Sequence, residues 1–174
     1  MGNFRGYLQI YTGNGKGKTT AALGLAIRAL GAGWKVFLGQ FLKKGEYSEI
    51  KALRKFEPQI QISQFGSGCF VRGKPSSEDI KRAQEGWKLC QQAMFSKEFQ
   101  LLIFDELNLV FYFKILPLER ILQDLRDRPR ETEIIITGRY APAALIEMAD
   151  LVTEMREVKH YYRKGVPARL GIEK

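Results

Sequence analysis

Residues 8–20 read Leu8-Gln9-Ile10-Tyr11-Thr12-Gly13-Asn14-Gly15-Lys16-Gly17-Lys18-Thr19-Thr20, and a helical run, Ala21-Ala22-Leu23-Gly24-Leu25-Ala26-Ile27-Arg28-Ala29-Leu30, follows directly. An apolar strand that enters a glycine-rich turn and leaves it as a helix is the arrangement of a phosphate-binding P-loop. Gly13, Gly15 and Gly17 permit positive φ, so several N–H groups can turn inward around phosphate oxygens at the positive end of the helix. Lys18 adds a mobile point charge, and the Thr19 hydroxyl is placed to ligate Mg²⁺. The loop from Gly13 through Asn14, Gly15, Lys16, Gly17, Lys18 and Thr19 to Thr20 is therefore the candidate triphosphate site. It is a variant: counting back from Lys18, Thr12 stands where the usual pattern has its first glycine.

A triphosphate site of this kind needs an apolar strand ending in an acid that holds the metal. Leu101-Leu102-Ile103-Phe104-Asp105-Glu106 supplies one, and Asp105 or Glu106 is expected beside Thr19 at the carboxyl edge of the sheet. An acidic helix start is the plainer alternative for these two residues. Apolar runs at 7–11, 35–41, 59–65, 101–105, 133–137 and 151–155 read as strands, with amphipathic stretches between them. This alternation predicts an α/β, RecA-like P-loop fold with a mostly parallel sheet of about six strands flanked by helices. One helix opens on Ser76 and Asp79 at capping-box spacing and carries Ile80, Ala83, Trp87, Cys90 and Met94 on one face. Another carries Leu118, Ile121, Leu122 and Leu125 and stops before Pro129.

At 174 residues, 45% hydrophobic and 27% charged, the chain is sized for a single domain spanning 1–174. It has no apolar run long enough to span a bilayer and no secretory leader, so a cytoplasmic location is expected. Cys69, Cys90 and His160 are too few and too scattered for a structural metal site. The net charge of +9 suits a polyanionic partner. Residues 1–74 hold 12 basic and 3 acidic residues, whereas residues 75–174 hold 16 of each, and no acid precedes Glu46. The excess thus lies in the P-loop part of the chain, which reads as a polyphosphate site more readily than as a nucleic-acid face.

A P-loop alone specifies triphosphate binding and not a reaction. A nucleic-acid motor lacks its usual companions here: no helix-turn-helix, no stacking-aromatic motif. A nucleoside kinase of the thymidine type needs a four-cysteine lobe that two cysteines cannot build. Further segments narrow the choice: Tyr11-Thr12 leading into the loop, Phe104-Asp105-Glu106-Leu107-Asn108, Ile136-Thr137-Gly138-Arg139-Tyr140-Ala141-Pro142, Ala149-Asp150-Leu151-Val152-Thr153-Glu154-Met155, Val158-Lys159-His160 and Gly171-Ile172-Glu173. In this order they resemble the P-loop type of ATP:corrinoid adenosyltransferase, which acts on cob(I)alamin or cob(I)yrinic acid a,c-diamide. The match runs from Tyr7 to the C-terminus almost without a gap.

The resemblance implies that corrinoid cobalt, reduced to Co(I), attacks the 5′ carbon of ATP and expels tripolyphosphate, with ATP bound reversed relative to ordinary P-loop enzymes. It assigns the loop, with Lys18 as the catalytic cation, to the phosphates, and Thr19 with Glu106, Asp105 alongside, to Mg²⁺. Arg28 and Arg139 are further candidates for nucleotide or corrinoid contact, or are surface charges. In relatives the segment that here reads Gly68-Cys69-Phe70-Val71 places aromatic side chains under the corrin ring. The tryptophan that some relatives carry there is absent, and Phe70 is the candidate wedge against the lower cobalt ligand, or else a loop residue tucked into the core. The implied partners are a corrinoid (cobalamin, cobinamide or cobyrinic acid a,c-diamide), a protein reductant that takes Co(II) to Co(I), and a second copy in a homodimer. No membrane partner is expected. The alternative is a RecA-like ATP-binding protein that acts on nucleic acid or as a regulator.

Overall fold

Strand β1 (Leu8–Thr12) lies inside a six-stranded sheet with the order β3-β2-β4-β5-β1-β6, the other strands being β2 (Val36–Phe41), β3 (Ile60–Phe65), β4 (Leu101–Asp105), β5 (Glu133–Thr137) and β6 (Leu151–Glu154). The computed structural model describes residues 4–67 and 74–173. Every strand pairing is parallel, so the sheet is more regular than the mostly parallel one expected. The strands agree with the expected runs to within one residue at each end, because unbroken Val, Ile, Leu and Phe stretches suit strands covered on both faces.

Side chains alternate across each strand and divide the core into two layers. Val36, Leu38, Leu101, Ile103 and Ile135 pack under α1 (Lys18–Gly31) and α2 (Ser48–Leu53). Phe37, Phe41, Leu102, Phe104, Ile134 and Ile136 pack under α3 (Ser77–Phe95), α4 (Leu107–Tyr112) and α5 (Leu118–Arg126). A short α6 (Ala143–Met148) leads into β6, whose four residues are all exposed at the sheet edge. Fully burying a side chain such as Phe104 contributes about 2 kcal/mol.

The capping box at the start of α3 forms as its spacing requires. Asp79 N–H donates to Ser76 Oγ (3.1 Å), and Ser76 N–H donates to Asp79 Oδ2 (2.9 Å). Trp87 and Cys90 are core residues, and burial pushes the Cys90 thiol pKa well up. Periodicity does not foretell that Trp87 Nε1 donates to buried Asp124 Oδ2 on α5 (2.9 Å). That bond ties two helices on one face of the sheet and gives the indole N–H its partner. Among the described residues no helix is long and apolar enough to cross a membrane.

Candidate active site

The carboxyl ends of the strands open on a cavity of about 1030 Å³, at the upper end of the range for ligand sites. Its floor is the P-loop, with residues Asn14 through Thr20 all on its lining. Two glycines do what the sequence suggests: Gly13 and Gly17 sit at φ 95° and 114°, and Gly17 caps α1 so that the positive helix end faces the cavity. Gly15 is glycine for a different reason. Its φ is not positive; instead its backbone packs on the segment after β6, where a Cβ would lie 2.7 Å from Met155 O. Its N–H donates to that carbonyl (2.7 Å) and so holds the loop instead of turning inward.

Lys18 curls back into its own loop, and Nζ donates to Gly13 O and Gly15 O (both 2.8 Å). Burial pushes its pKa down, against the pull of Glu106 and Asp105. Two carbonyl oxygens are weak partners for a buried ammonium, so a phosphate entering the loop offers Lys18 a better one.

The acid strand ends where the sequence places it. β4 is separated from β1 by β5, and Thr137 at the end of β5 spans the gap: its Oγ1 donates to Asp105 Oδ1 (2.7 Å) and accepts from Glu106 N–H (3.0 Å). Thr19, in the first turn of α1, donates to the same Asp105 oxygen (2.8 Å). Gln40 Nε2 and Lys43 Nζ donate to Asp105 Oδ2 at 3.0 and 2.7 Å. Asp105 is wholly buried. Burial raises its pKa, but Lys43 and the hydroxyl donors outweigh that and hold the carboxyl below its ordinary range. Glu106 goes the other way, its pKa raised by burial and by the charge of Asp105. It also sits at φ 61°, a left-handed geometry that costs a non-glycine residue about 1 kcal/mol or more. The turn directs the Glu106 carboxylate beside Lys43, at 3.8 Å, and into the cavity lining.

Thr19 Oγ1, Asp105 and Glu106 form a hard-oxygen set, and the Lys43 ammonium already stands among them as a cation. These residues fit Mg²⁺, which takes one or two carboxylates and completes its shell with water and phosphate.

Arg139 follows β5 at the cavity wall, exposed and without an ion pair among the described residues. Its turn is fixed by Asn108, whose Nδ2 donates to Gly138 O (3.0 Å). Arg28 is not on the cavity lining, although the preceding residue, Ile27, is; it is exposed in the last turn of α1, about 15 Å along the helix from Lys18, where a cation complements the helix dipole. Phe70 and Cys69 lie outside the described residues.

Sequence reasoning missed two groups. One is Lys43, just past the end of β2; the rule that ligands gather at strand carboxyl ends was the signal available. The other is a C-terminal strap. Lys16 of the P-loop donates to Tyr161 OH, Ile172 O and Glu173 Oε1 (3.1, 3.0 and 2.7 Å). Tyr161 OH also donates to Glu173, and Arg169 lies 4.8 Å above the Tyr161 ring. Hydrogen bonds from Arg169, Lys16 and Tyr161 hold Glu173 far below its ordinary pKa. His160, Gly171, Ile172 and Glu173 thereby become cavity wall.

Comparison with known proteins agrees with this geometry. Residues 4–173 match the family model described as ATP:corrinoid adenosyltransferase BtuR/CobO/CobP. The chain is 37% identical over 170 residues to a corrinoid adenosyltransferase of Pseudomonas aeruginosa, covering 97% of this chain and 84% of the relative. It is 37% identical over 171 residues to one of Escherichia coli (97% and 86%), and 33% identical over 174 residues to the corrinoid adenosyltransferase CobA of Salmonella typhimurium (97% and 86%). With a P-loop and an acid-tipped strand facing one cavity in an all-parallel sheet, the chain belongs to the ATP:corrinoid adenosyltransferase family.

Proposed function

We propose that the cavity binds ATP with its triphosphate in the loop from Gly13 to Thr20, and that the chain transfers the 5′-deoxyadenosyl group to Co(I) of a reduced corrinoid. The observation that carries this is the pairing of the P-loop with Asp105 and Glu106 across β5, in a chain of this family. The cobalt electron pair forms the bond to C5′, the C5′–O bond breaks, and its electrons leave on the triphosphate. No proton moves, so no general base is called for. Negative charge grows on the leaving triphosphate, where loop N–H groups, the α1 N-terminus and Lys18 stabilise it.

Thr19, Asp105 and Glu106 would hold Mg²⁺. When bound, the ion neutralises phosphate charge. Arg139, on the cavity lining and within electrostatic reach of Glu106 and Lys18, adds a cation for phosphate or for a corrinoid side chain. Leu23, Ile27, Leu53 and Leu109 give the same cavity an apolar wall, suited to a nucleoside or a macrocycle edge. Phe70 keeps the role of wedge beneath the corrin ring. A protein reductant, a homodimer and a cytoplasmic location complete the reading. The nucleic-acid or regulatory alternative has no observation in its favour.

The test is spectroscopic. Cob(I)alamin mixed anaerobically with the chain, ATP and Mg²⁺ should lose its Co(I) band and give a light-sensitive adenosyl product. A Co(I) band that persists with ATP as it does without it overturns the proposal.

A further inference from the structure

Lys43 is placed by backbone and not by chance contact. It follows Leu42, at φ 56°, which turns the chain back over the strand ends, and its carbonyl accepts from Gly66 N–H (3.0 Å) beyond β3. The register sets Gln40 of β2 beside Asp105 of β4, so a side chain leaving β2 in this direction meets the Asp105 carboxylate. Its ammonium lies 2.7 Å from Asp105 Oδ2, 3.3 Å from Thr19 Oγ1 and 3.8 Å from Glu106 Oε1. Those are the three groups that fit Mg²⁺. The lysine side chain is 23% exposed and lines the cavity, so it has room to swing, whereas Asp105 is fully enclosed and cannot follow it.

An ammonium and a divalent ion cannot share one oxygen cluster: two carboxylates do not balance three positive charges, and the ions repel at a few ångströms. A metal entering with ATP, however, brings a triphosphate with about four negative charges to the same wall. We propose that Lys43 is an exchangeable counter-ion: in the empty protein it neutralises Asp105 and holds the metal position closed, and when metal and nucleotide enter together it moves from the carboxylate to the triphosphate. Binding of the metal alone is thereby opposed, and binding of the metal–nucleotide pair is favoured. The proposal rests on the reading of this cavity as a metal–ATP site.

Two affinities test it on the whole chain: Mn²⁺ alone, followed by the magnetic resonance signal of the free ion, and Mg·ATP, followed by titration calorimetry. Lys43→Met should bind Mn²⁺ alone about tenfold more tightly than the native chain, and Mg·ATP about tenfold more weakly. A purely structural lysine would weaken both, and a mere obstruction would strengthen both; either result, or no change in either affinity, overturns the proposal. If Lys43→Met does not fold, Lys43→Gln, which retains a donor to Asp105, is held to the same pair of opposite shifts. Lys18→Ala separates the two levels. If it loses Mg·ATP while Lys43→Met behaves as native, only the counter-ion role is wrong. If the native chain binds no Mg·ATP, the site reading fails and takes the proposal with it.

Discussion

The phosphate loop is held between two charge networks that differ in kind. On one side Asp105, fully buried, gathers Thr19, Gln40, Lys43 and Thr137 from the ends of rigid elements. On the other, Glu173 gathers Lys16, Tyr161 and Arg169 on a strap made of a short turn (Tyr161–Lys164) and the residues that follow it. The contacts look alike, yet water separates their consequences. Asp105 is fully desolvated, so losing its partners is costly, while Glu173 keeps 18% of its side chain in solvent and pairs with more exposed cations, so its loss costs less. The first network therefore locks the ends of several elements together, and the second fastens the strap to the loop through ion pairs that solvent reaches.

The largest effect on function should come from Lys18, which belongs to neither network and folds back onto Gly13 O and Gly15 O inside the loop between them. Lys18→Ala is expected to slow adenosyl transfer about a hundred- to thousandfold, as loss of a charge-stabilising donor does, while the melting temperature barely moves. Rapid spectroscopic assay of product formation checks this. A transfer rate within a few-fold of native would detach the loop from the reaction.

The largest effect on stability should come from Asp105. Asp105→Ala strands Lys43 and three neutral donors and is expected to destabilise the fold by about 3–5 kcal/mol in urea titration. The sign with pH follows from the lowered carboxyl. Its contribution is present above the ordinary Asp value of 3.8 and disappears as pH falls through the lower folded value. Native and Asp105→Asn stabilities should therefore differ at pH 7 and converge in strong acid.

Gly15→Ala comes next. The added methyl meets Met155 O and the Arg156 backbone, so about 1–3 kcal/mol of destabilisation is expected, with weaker Mg·ATP binding. Calorimetric melting and nucleotide titration measure the two. An unaffected loop would show that the strap side yields more readily than its packing implies.

The smallest effect belongs to Glu173. Glu173→Gln should leave global stability nearly native and show itself as faster amide exchange across residues 157–172. In the native chain the same release is expected only in acid, because the strap carboxylate stays ionised through and below its ordinary value of 4.5. Equal exchange in both proteins at pH 7 would mean that the ion pairs do not hold the strap.

The two networks also differ in how far the sequence discloses them. Strand positions, the P-loop and the acid at the end of β4 are written in contiguous segments, because a buried parallel strand and a glycine turn leave local signatures. Ser76 and Asp79 are legible for the same reason. Lys43 is not, since it meets Asp105, 62 positions away, only because β2 and β4 are neighbours in a strand order that periodicity does not encode. The strap joins Lys16 to Glu173 over a separation of 157 residues; the segments around His160 and Glu173 stand out in the sequence, but their contact with the loop does not. Arg28 shows the converse, a residue near the loop in sequence that the direction of α1 carries away from it.

The most direct measurement is the fate of the phosphates. Chemically generated Co(I) corrinoid, ATP and Mg²⁺ are incubated anaerobically with the chain, and inorganic tripolyphosphate and adenosylcorrinoid are quantified together. The expected result is one tripolyphosphate for each adenosylcorrinoid, both lost in Lys18→Ala. ADP and orthophosphate without adenosylcorrinoid would contradict it and return the cavity to ordinary P-loop hydrolysis.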